Sequence, residues 1–254
     1  MGESMRKYGS QVWLYSSYFF KVMLDNVGVM LYTVGLPIFF LGLNLKSAMF
    51  KPLTLSQYTG KVLPFVAWII FSNTIVMVGE VALLREQGYL KQYVSLVVNP
   101  SVFILSKAIV NLGVLLVILA LVAGGSAVMF QLSFWALLWR LWGVLILVSI
   151  PMWGYGLPLL SFEWRYQTVN AVMNVLTLAV MLGSVAVGNW LNLKVSNPVA
   201  SVLSPVYLVM ACFDLLVTGH WATFLPAYLS ALIGLSLVGV LSYRQLKLLP
   251  TEGV

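Results

Sequence analysis

Long apolar runs separated by short polar interruptions make up almost the whole chain. The runs cover about 27–45, 62–84, 102–129, 134–160, 168–190, 199–217 and 222–243. Each is close to the length of a membrane-crossing helix, since a hydrocarbon core about 30 Å thick takes roughly 20 residues at about 1.5 Å each. Ahead of the first run, 5–24 has a helical period: Met5, Tyr8, Val12, Tyr15, Phe19 and Val22 share one face, with Arg6, Ser10, Ser17 and Lys21 roughly opposite. Trp13, Leu14 and Phe20 flank the polar side. The pattern predicts an interfacial helix lying along the cytoplasmic surface of the bilayer.

Interruptions within the runs refine the picture. Gly28, Gly35 and Gly42 recur at seven-residue spacing on nearly one face of the first run. Small residues allow close backbone approach, so this face reads either as helix packing within one subunit or as a subunit interface. Pro37 predicts a kink in the same run. The stretch 46–61, with Pro52, Gly60 and several polar residues, reads as an external loop. Glu80 lies five residues before Arg85, near a membrane edge, and reads as a local anchor or pair rather than a proton site. Pro151, Gly154, Gly156 and Pro158 predict a bend or unwinding late in the fourth run. Arg140, beside Trp135, Trp139 and Trp142, is expected to snorkel to the outer interface.

Composition agrees with the pattern. Of 254 residues, 61% are hydrophobic and 8% charged, against about 25% charged in ordinary soluble domains. An all-α polytopic membrane protein follows, a single transmembrane domain over 1–254 with no room for a soluble one. The net charge of +7 belongs beside anionic lipid rather than nucleic acid. Cys212 is the sole cysteine and His220 the sole histidine, which excludes an intrachain disulfide and leaves little for Cys/His metal or nucleophile chemistry. No secretory leader is apparent in the first residues, so the first span is expected to serve as the insertion signal.

The basic residues set the expected topology. Seven full spans would put Arg244 and Lys247 on the opposite side from Arg6, Lys7 and Lys21, against the positive-inside tendency. With six spans both termini are cytoplasmic, and 199–217, interrupted by Pro205 and Asp214, becomes an outer-leaflet re-entrant hairpin before the last span. Arg6, Lys7, Lys21, Arg85, Lys91, Lys107, Arg165, Arg244 and Lys247 then lie inside, and Lys46, Lys51, Lys61, Arg140 and Lys194 outside.

The stretch 84–100, LREQGYLKQYVSLVVNP, separates the second and third spans. It reads as a short amphipathic cytoplasmic helix. Gly88 lets the backbone turn away from the span, while Tyr89, Leu90, Tyr93 and Val94 are apolar anchors. Arg85, Glu86 and Lys91 bring charge, and Asn99-Pro100 ends the helix. An ordinary positive-inside loop is the plainer alternative.

Here the chain resembles the permease subunits of the ABC-2 family of ATP-binding-cassette transporters. Their loop between spans 2 and 3 carries an acidic-basic pair, a Glu, then x-Gly-x-Leu, apolar and aromatic positions and a Pro; Arg85, Glu86, Gly88, Leu90 and Pro100 match. Leu84 stands where the usual acidic start would be, and Gln87 where charged residues are common. The resemblance runs the length of the chain, through an initial amphipathic helix, six spans and an outer hairpin. It implies that two permeases, copies or paralogues, form the pathway and that a separate cytoplasmic ATPase subunit binds below each. The helix 85–99 would be a coupling helix. Arg85 and Glu86 would make its charged contacts, Gly88 its turn, and Tyr89, Leu90 and Tyr93 would fill a groove of the ATPase. The interfacial helix, with Trp13, Tyr15, Phe19 and Lys21, would brace the same junction.

The chain has no G-x-x-x-x-G-K-S/T phosphate loop, no G-x-G-x-x-G and no H-E-x-x-H. It is therefore expected to be no enzyme and to bind no cofactor or metal, with ATP and Mg held on the partner ATPase. The expected cargo is hydrophobic or amphipathic, such as a peptide or drug. Two other classes stay open: a non-transporting membrane scaffold or immunity protein, and an intramembrane lipid-modifying enzyme. The enzyme would need convergent polar groups at one depth, and Arg140, Glu80, Asn73, Asn111, Asn170 and Asn174 are the candidates.

Overall fold

The apolar runs fold as helices in a computed structural model that describes residues 2–25, 27–45, 50–86, 101–162, 164–191 and 193–245. In chain order these are α1 (Gly2–Asp25), α2 (Val27–Met30), a π-helical turn (Leu31–Gly35), α3 (Leu36–Asn44), α4 (Leu55–Lys61) and α5 (Leu63–Glu86). Then come α6 (Ser101–Phe130), α7 (Phe134–Leu160), α8 (Tyr166–Leu191), α9 (Pro198–Leu203), α10 (Pro205–Thr218) and α11 (Trp221–Arg244). Among the described residues every element is helical. Five helices are long and apolar enough to cross a membrane: α5, α6, α7, α8 over Tyr166–Ser184, and α11. α5 is the most enclosed, and the core forms around its buried Ile69, Ile70, Phe71 and Ile75.

The first expected span, 27–45, is helical but broken into α2, the π turn and α3. Pro37, at the start of α3, has no N–H for the carbonyl four residues back, at Thr33, and its ring would crowd that carbonyl. A widened π turn relieves the crowding, and the Ser72 hydroxyl of α5 donates to the Thr33 carbonyl at 3.3 Å. The same device recurs in α7. Pro151 leaves the Leu147 carbonyl without its helical partner, and the Tyr228 hydroxyl of α11 donates to it at 3.2 Å. In hydrocarbon, where water cannot substitute, such hydroxyls let prolines stand inside a span.

Three sequence expectations change. α7 is not unwound: it stays helical through Pro151 and Pro158, and its late glycines serve close packing. A Cβ on Gly154 would lie 2.4 Å from the Leu235 carbonyl oxygen of α11, and one on Gly156 2.8 Å from Val78 Cγ2 of α5. The stretch 46–61 is not all loop, because Thr54 and Gln57 form a reciprocal capping box that starts α4. Tyr58 of α4 is fully buried against Phe213, with its hydroxyl 3.1 Å from that of Ser126, and burial raises the phenol well above its usual range. Glu80 does not pair along its own helix with Arg85; its partner is Lys107 of α6.

The stretch 199–217 forms α9 and α10, meeting at Ser204. α10, at 14 residues, spans about 21 Å, short of a bilayer core. Its break is satisfied from within. The Ser204 hydroxyl caps the Tyr207 N–H and lies 2.6 Å from the Ser184 hydroxyl. Tyr155 donates to the carbonyls of Ser201 and Val202, at 3.2 and 2.9 Å. α10 ends at Gly219, whose φ of 67° suits a left-handed cap. Near that end Asp214 accepts from the Thr59 hydroxyl of α4 at 2.9 Å.

Candidate functional site

The described end of α5 and the start of α6, which border 87–100, are fixed to two other elements. Arg85 is 4% exposed and points inward, donating to the Leu160 carbonyl at 2.9 Å and the Trp164 carbonyl at 3.0 Å. It thus satisfies carbonyls at the C-terminal end of α7, where a cation also suits the helix dipole. Glu86 is exposed and accepts the Tyr166 backbone N–H at the start of α8. Together they clasp the turn between α7 and α8, and the arginine's burial removes it from the surface where a charged contact with a partner was expected. Gly88, Tyr89, Leu90 and Tyr93 lie outside the described residues.

On the other flank α1 lies against α6. The hydroxyls of Tyr8 and Ser101 are 3.0 Å apart. The Ser106 hydroxyl sits 3.1 Å from the Val12 carbonyl, and Tyr15 meets Phe103 edge-on with centroids 4.7 Å apart. The face of α1 toward α6 carries Tyr8, Val12, Tyr15, Ser16 and Phe19, whereas Val22 points out. Trp13, Leu14 and Phe20 are exposed beside Lys21. An exposed row mixing large apolar side chains with cations suits a lipid headgroup boundary.

Further along α5 and α6, six residues from Glu86 and six from Ser101, the Glu80 carboxylate receives the Lys107 ammonium. That places the pair about 9 Å from this end of the bundle. Lys107 also sits 4.4 Å from the centroid of the Phe19 ring of α1, within cation–π range. A lone charge costs about 2.5–3.5 kcal/mol at the centre of a span on insertion scales and less toward its end, and a hydrogen-bonded opposite charge offsets that cost. Beside the pair is a small cavity of about 40 Å³, walled by Met23, Val29, Val76, Met77, Val110 and Val114 and ending at Asn73 and Asn111. The Asn73 amide is committed, donating to Ile69 O at 2.8 Å and accepting from Thr33 at 3.3 Å. The Asn111 amide makes no hydrogen bond among the described residues.

This pairing was not visible in the sequence, where Lys107 reads as one more cation of a positive-inside flank. The one available signal was that Lys107 lies a turn and a half inside its apolar run, as Glu80 does in its own.

The remaining sequence candidates fall on an open face. A Cβ on Gly28 or Gly35 would meet nothing within 4 Å, and Gly42 is half-buried, so Gly28 and Gly35 do not mediate close packing inside this chain. Next to that face, between α3, the start of α5 and α8, is a lateral groove of about 580 Å³ lined by Phe40, Leu43, Trp68, Leu178 and Met181, with Lys61 at its rim. Arg140 is half-buried on α7 near the exposed Trp135 and Trp139. Among the described residues no group of three His, Cys, Asp or Glu is placed to hold a metal. Compared with known protein families, curated proteins and solved structures, the chain matches none.

Proposed function

We propose that the chain is the transmembrane permease subunit of an ABC-2-type exporter, driven by a separate cytoplasmic ATPase and moving a hydrophobic or amphipathic substrate. The observation that carries this reading is the double anchorage of the polar segment 87–100. Its first flank is clasped to the α7–α8 turn through Arg85 and Glu86, and its second is joined to α1 through Ser101 and Tyr8. A push on that segment would reach α1, α5, α6, α7 and α8 at once, as a coupling element requires. The short α9–α10 pair before α11 and the exposed aromatic row on α1 are further features that such a subunit would have.

In this reading the end bearing Arg85, Ser101 and Arg244 faces the cytoplasm, six spans place both termini there, and Gly28 and Gly35 face a second permease copy or a paralogue. ATP and Mg belong to the partner. Arg85 acts as an internal strut, leaving Glu86 with Tyr89, Leu90 and Tyr93 as the outward contacts.

Purification of the tagged chain from its native host tests the proposal. A P-loop ATPase should copurify, and Leu90→Asp should reduce its recovery while leaving the permease folded. Recovery of the chain alone, with no ATPase stimulated on reconstitution, would replace this reading with that of a non-transporting scaffold. Labelling of a cysteine placed at Thr251 from outside intact cells would overturn the six-span topology.

A further inference from the structure

We propose that the membrane-facing crevice between α6 and α7, floored by α5, binds a small, neutral, lipid-soluble compound that carries a hydroxyl group and has the size of a substituted phenol. The crevice has a volume of about 230 Å³, and its apolar walls include Ile70, Leu105, Ile109, Leu115 and Ile150. Two polar side chains that line it lack partners: neither the Asn111 amide nor the Trp153 indole N–H makes a hydrogen bond among the described residues. Among those residues the one side-chain polar atom both enclosed and unpaired is Ser201 Oγ, so these two groups border open space rather than packed protein. Asn111 is ten residues from Ser101 and Trp153 seven from Leu160, which sets them about 15 Å and about 10 Å inside this end of the bundle. On the hydrocarbon side water does not satisfy polar groups at such depth, and an indole N–H removed from water ordinarily finds an acceptor.

The lining fixes the chemistry of the ligand. No charged side chain lines the crevice, so an ion would arrive there without a counter-charge and at high cost. Ser149 and Thr74 commit their protons to their own helices, donating to the Ile146 carbonyl at 2.8 Å and to that of Ile70 at 2.9 Å, which leaves their oxygens as acceptors. Donors from Trp153 and Asn111 beside acceptors from Ser149 and Thr74 suit a hydroxyl, which gives one hydrogen bond and takes others. Asn111 also borders the small cavity beside Glu80 and Lys107. Its amide has two ends, so water held in that cavity leaves the other end for a ligand. Size sets the upper limit: an engineered apolar cavity of about 150 Å³ holds benzene, and the crevice therefore takes one ring with small alkyl groups. Ile109 and Ile150 are 45% and 62% exposed, and this open side gives entry from lipid. A lipid tail is the competing occupant, but it would fill the apolar part and leave Asn111 and Trp153 unpaired.

A hydroxyl should therefore add affinity that a hydrocarbon of the same shape lacks, whereas a merely apolar surface would favour the hydrocarbon. The site belongs to this chain alone, so it can be tested without an ATPase and its failure leaves the exporter reading untouched.

The test uses thymol and p-cymene, which share a ring and alkyl groups and differ by the hydroxyl, as competitors of a photoreactive diazirine analogue of thymol on the purified full-length chain in lipid nanodiscs. Labelled residues should fall within 105–115 or 145–153. At equal concentration in the bilayer, thymol should protect them several-fold more strongly than p-cymene, as one or two hydrogen bonds would give. Asn111→Leu and Trp153→Phe should each weaken protection by thymol a few-fold and leave that by p-cymene unchanged. Ile109→Trp, which fills the crevice from its exposed side, should abolish labelling there. Should Asn111→Leu fail to fold, Trp153→Phe, which keeps an aromatic ring, reads the same loss. The proposal is overturned if p-cymene protects as well as thymol, if labelling is spread evenly over the lipid-facing helices, or if thymol keeps its full advantage in Trp153→Phe.

Discussion

Between α7 and α11, a Cβ on Gly154 would lie 2.4 Å from the Leu235 carbonyl oxygen, and a Cβ on Gly239, across the same contact, would lie 3.7 Å from the Gly154 Cα. Between α5 and α6, with α1 alongside, an ion pair joins the helices and leaves a small cavity of about 40 Å³ beside it. Lipid tails offer no hydrophobic gain when two apolar helices meet, so association in a membrane relies on close packing or on polar contacts. The α7–α11 contact uses close packing, and such a surface has one good arrangement. The α5–α6 contact uses charge and leaves a small gap beside it, so it has more room to adjust. The difference divides the molecule into a fixed half and an adaptable one.

The largest effect should come from breaking the fixed half. Gly154→Ala brings a methyl group onto a main-chain oxygen that has no flexible end to move aside. Overpacking of this kind costs about 1–3 kcal/mol and occasionally more, and we expect the upper end, about 3 kcal/mol. Thermal unfolding in detergent should show it. A change below about 1 kcal/mol would mean that α7 and α11 slide freely, and the contrast would fall.

In the adaptable half, Glu80→Gln or Lys107→Met alone should cost about 2 kcal/mol, because each strands a partner away from water. The double replacement should cost clearly less than the sum, and a double-mutant cycle reads the coupling directly. Strict additivity would show that the two charges do not act on each other.

The contrast also explains which parts were legible in the sequence. Hydropathy located α5, α6, α7, α8 and α11 to within a few residues, because a span is a local property of an apolar run. The amphipathic period located α1 in the same way, except that Val22 faces out and Ser16 and Met23 face in. Pairings between helices are not local: Glu80 and Lys107 are 27 residues apart, and nothing in either run names the other. In the sequence Arg85 reads as a surface group, because polar loops usually carry exposed charge. It is buried because the C-terminal carbonyls of α7 need a donor. In α7, glycine and proline suggested unwinding, yet glycine equally permits contact, and only the neighbouring helix decides. α4 has only one sequence signal, the capping-box spacing of Thr54 and Gln57, because its seven residues carry no long apolar run.

Smaller effects separate the two proline devices. Tyr228→Phe leaves the Leu147 carbonyl without its hydroxyl partner inside the fixed half, at an expected cost of about 1 kcal/mol. Ser72→Ala removes the equivalent donor to Thr33, beside the adaptable half. The π turn there can shift, and the cost should be about half as large. Thermal unfolding of the two variants side by side gives the comparison, and equal losses would mean that the π turn lends no freedom.

The smallest effect is expected at Gly35, and its sign carries the information. The backbone is right-handed helical there, with φ −64° and ψ −42°, and a Cβ would enter open space. Gly35→Ala therefore has no contact to lose within the chain. It lowers the freedom of the unfolded chain, which is worth about 0.4–1 kcal/mol to the folded one. If this face meets a second copy, the added methyl group should reduce energy transfer between labelled copies in a bilayer even as the single chain grows more stable. Opposite signs in the two measurements would assign the open glycine face to association between subunits. A rise in stability with unchanged transfer would assign it to lipid.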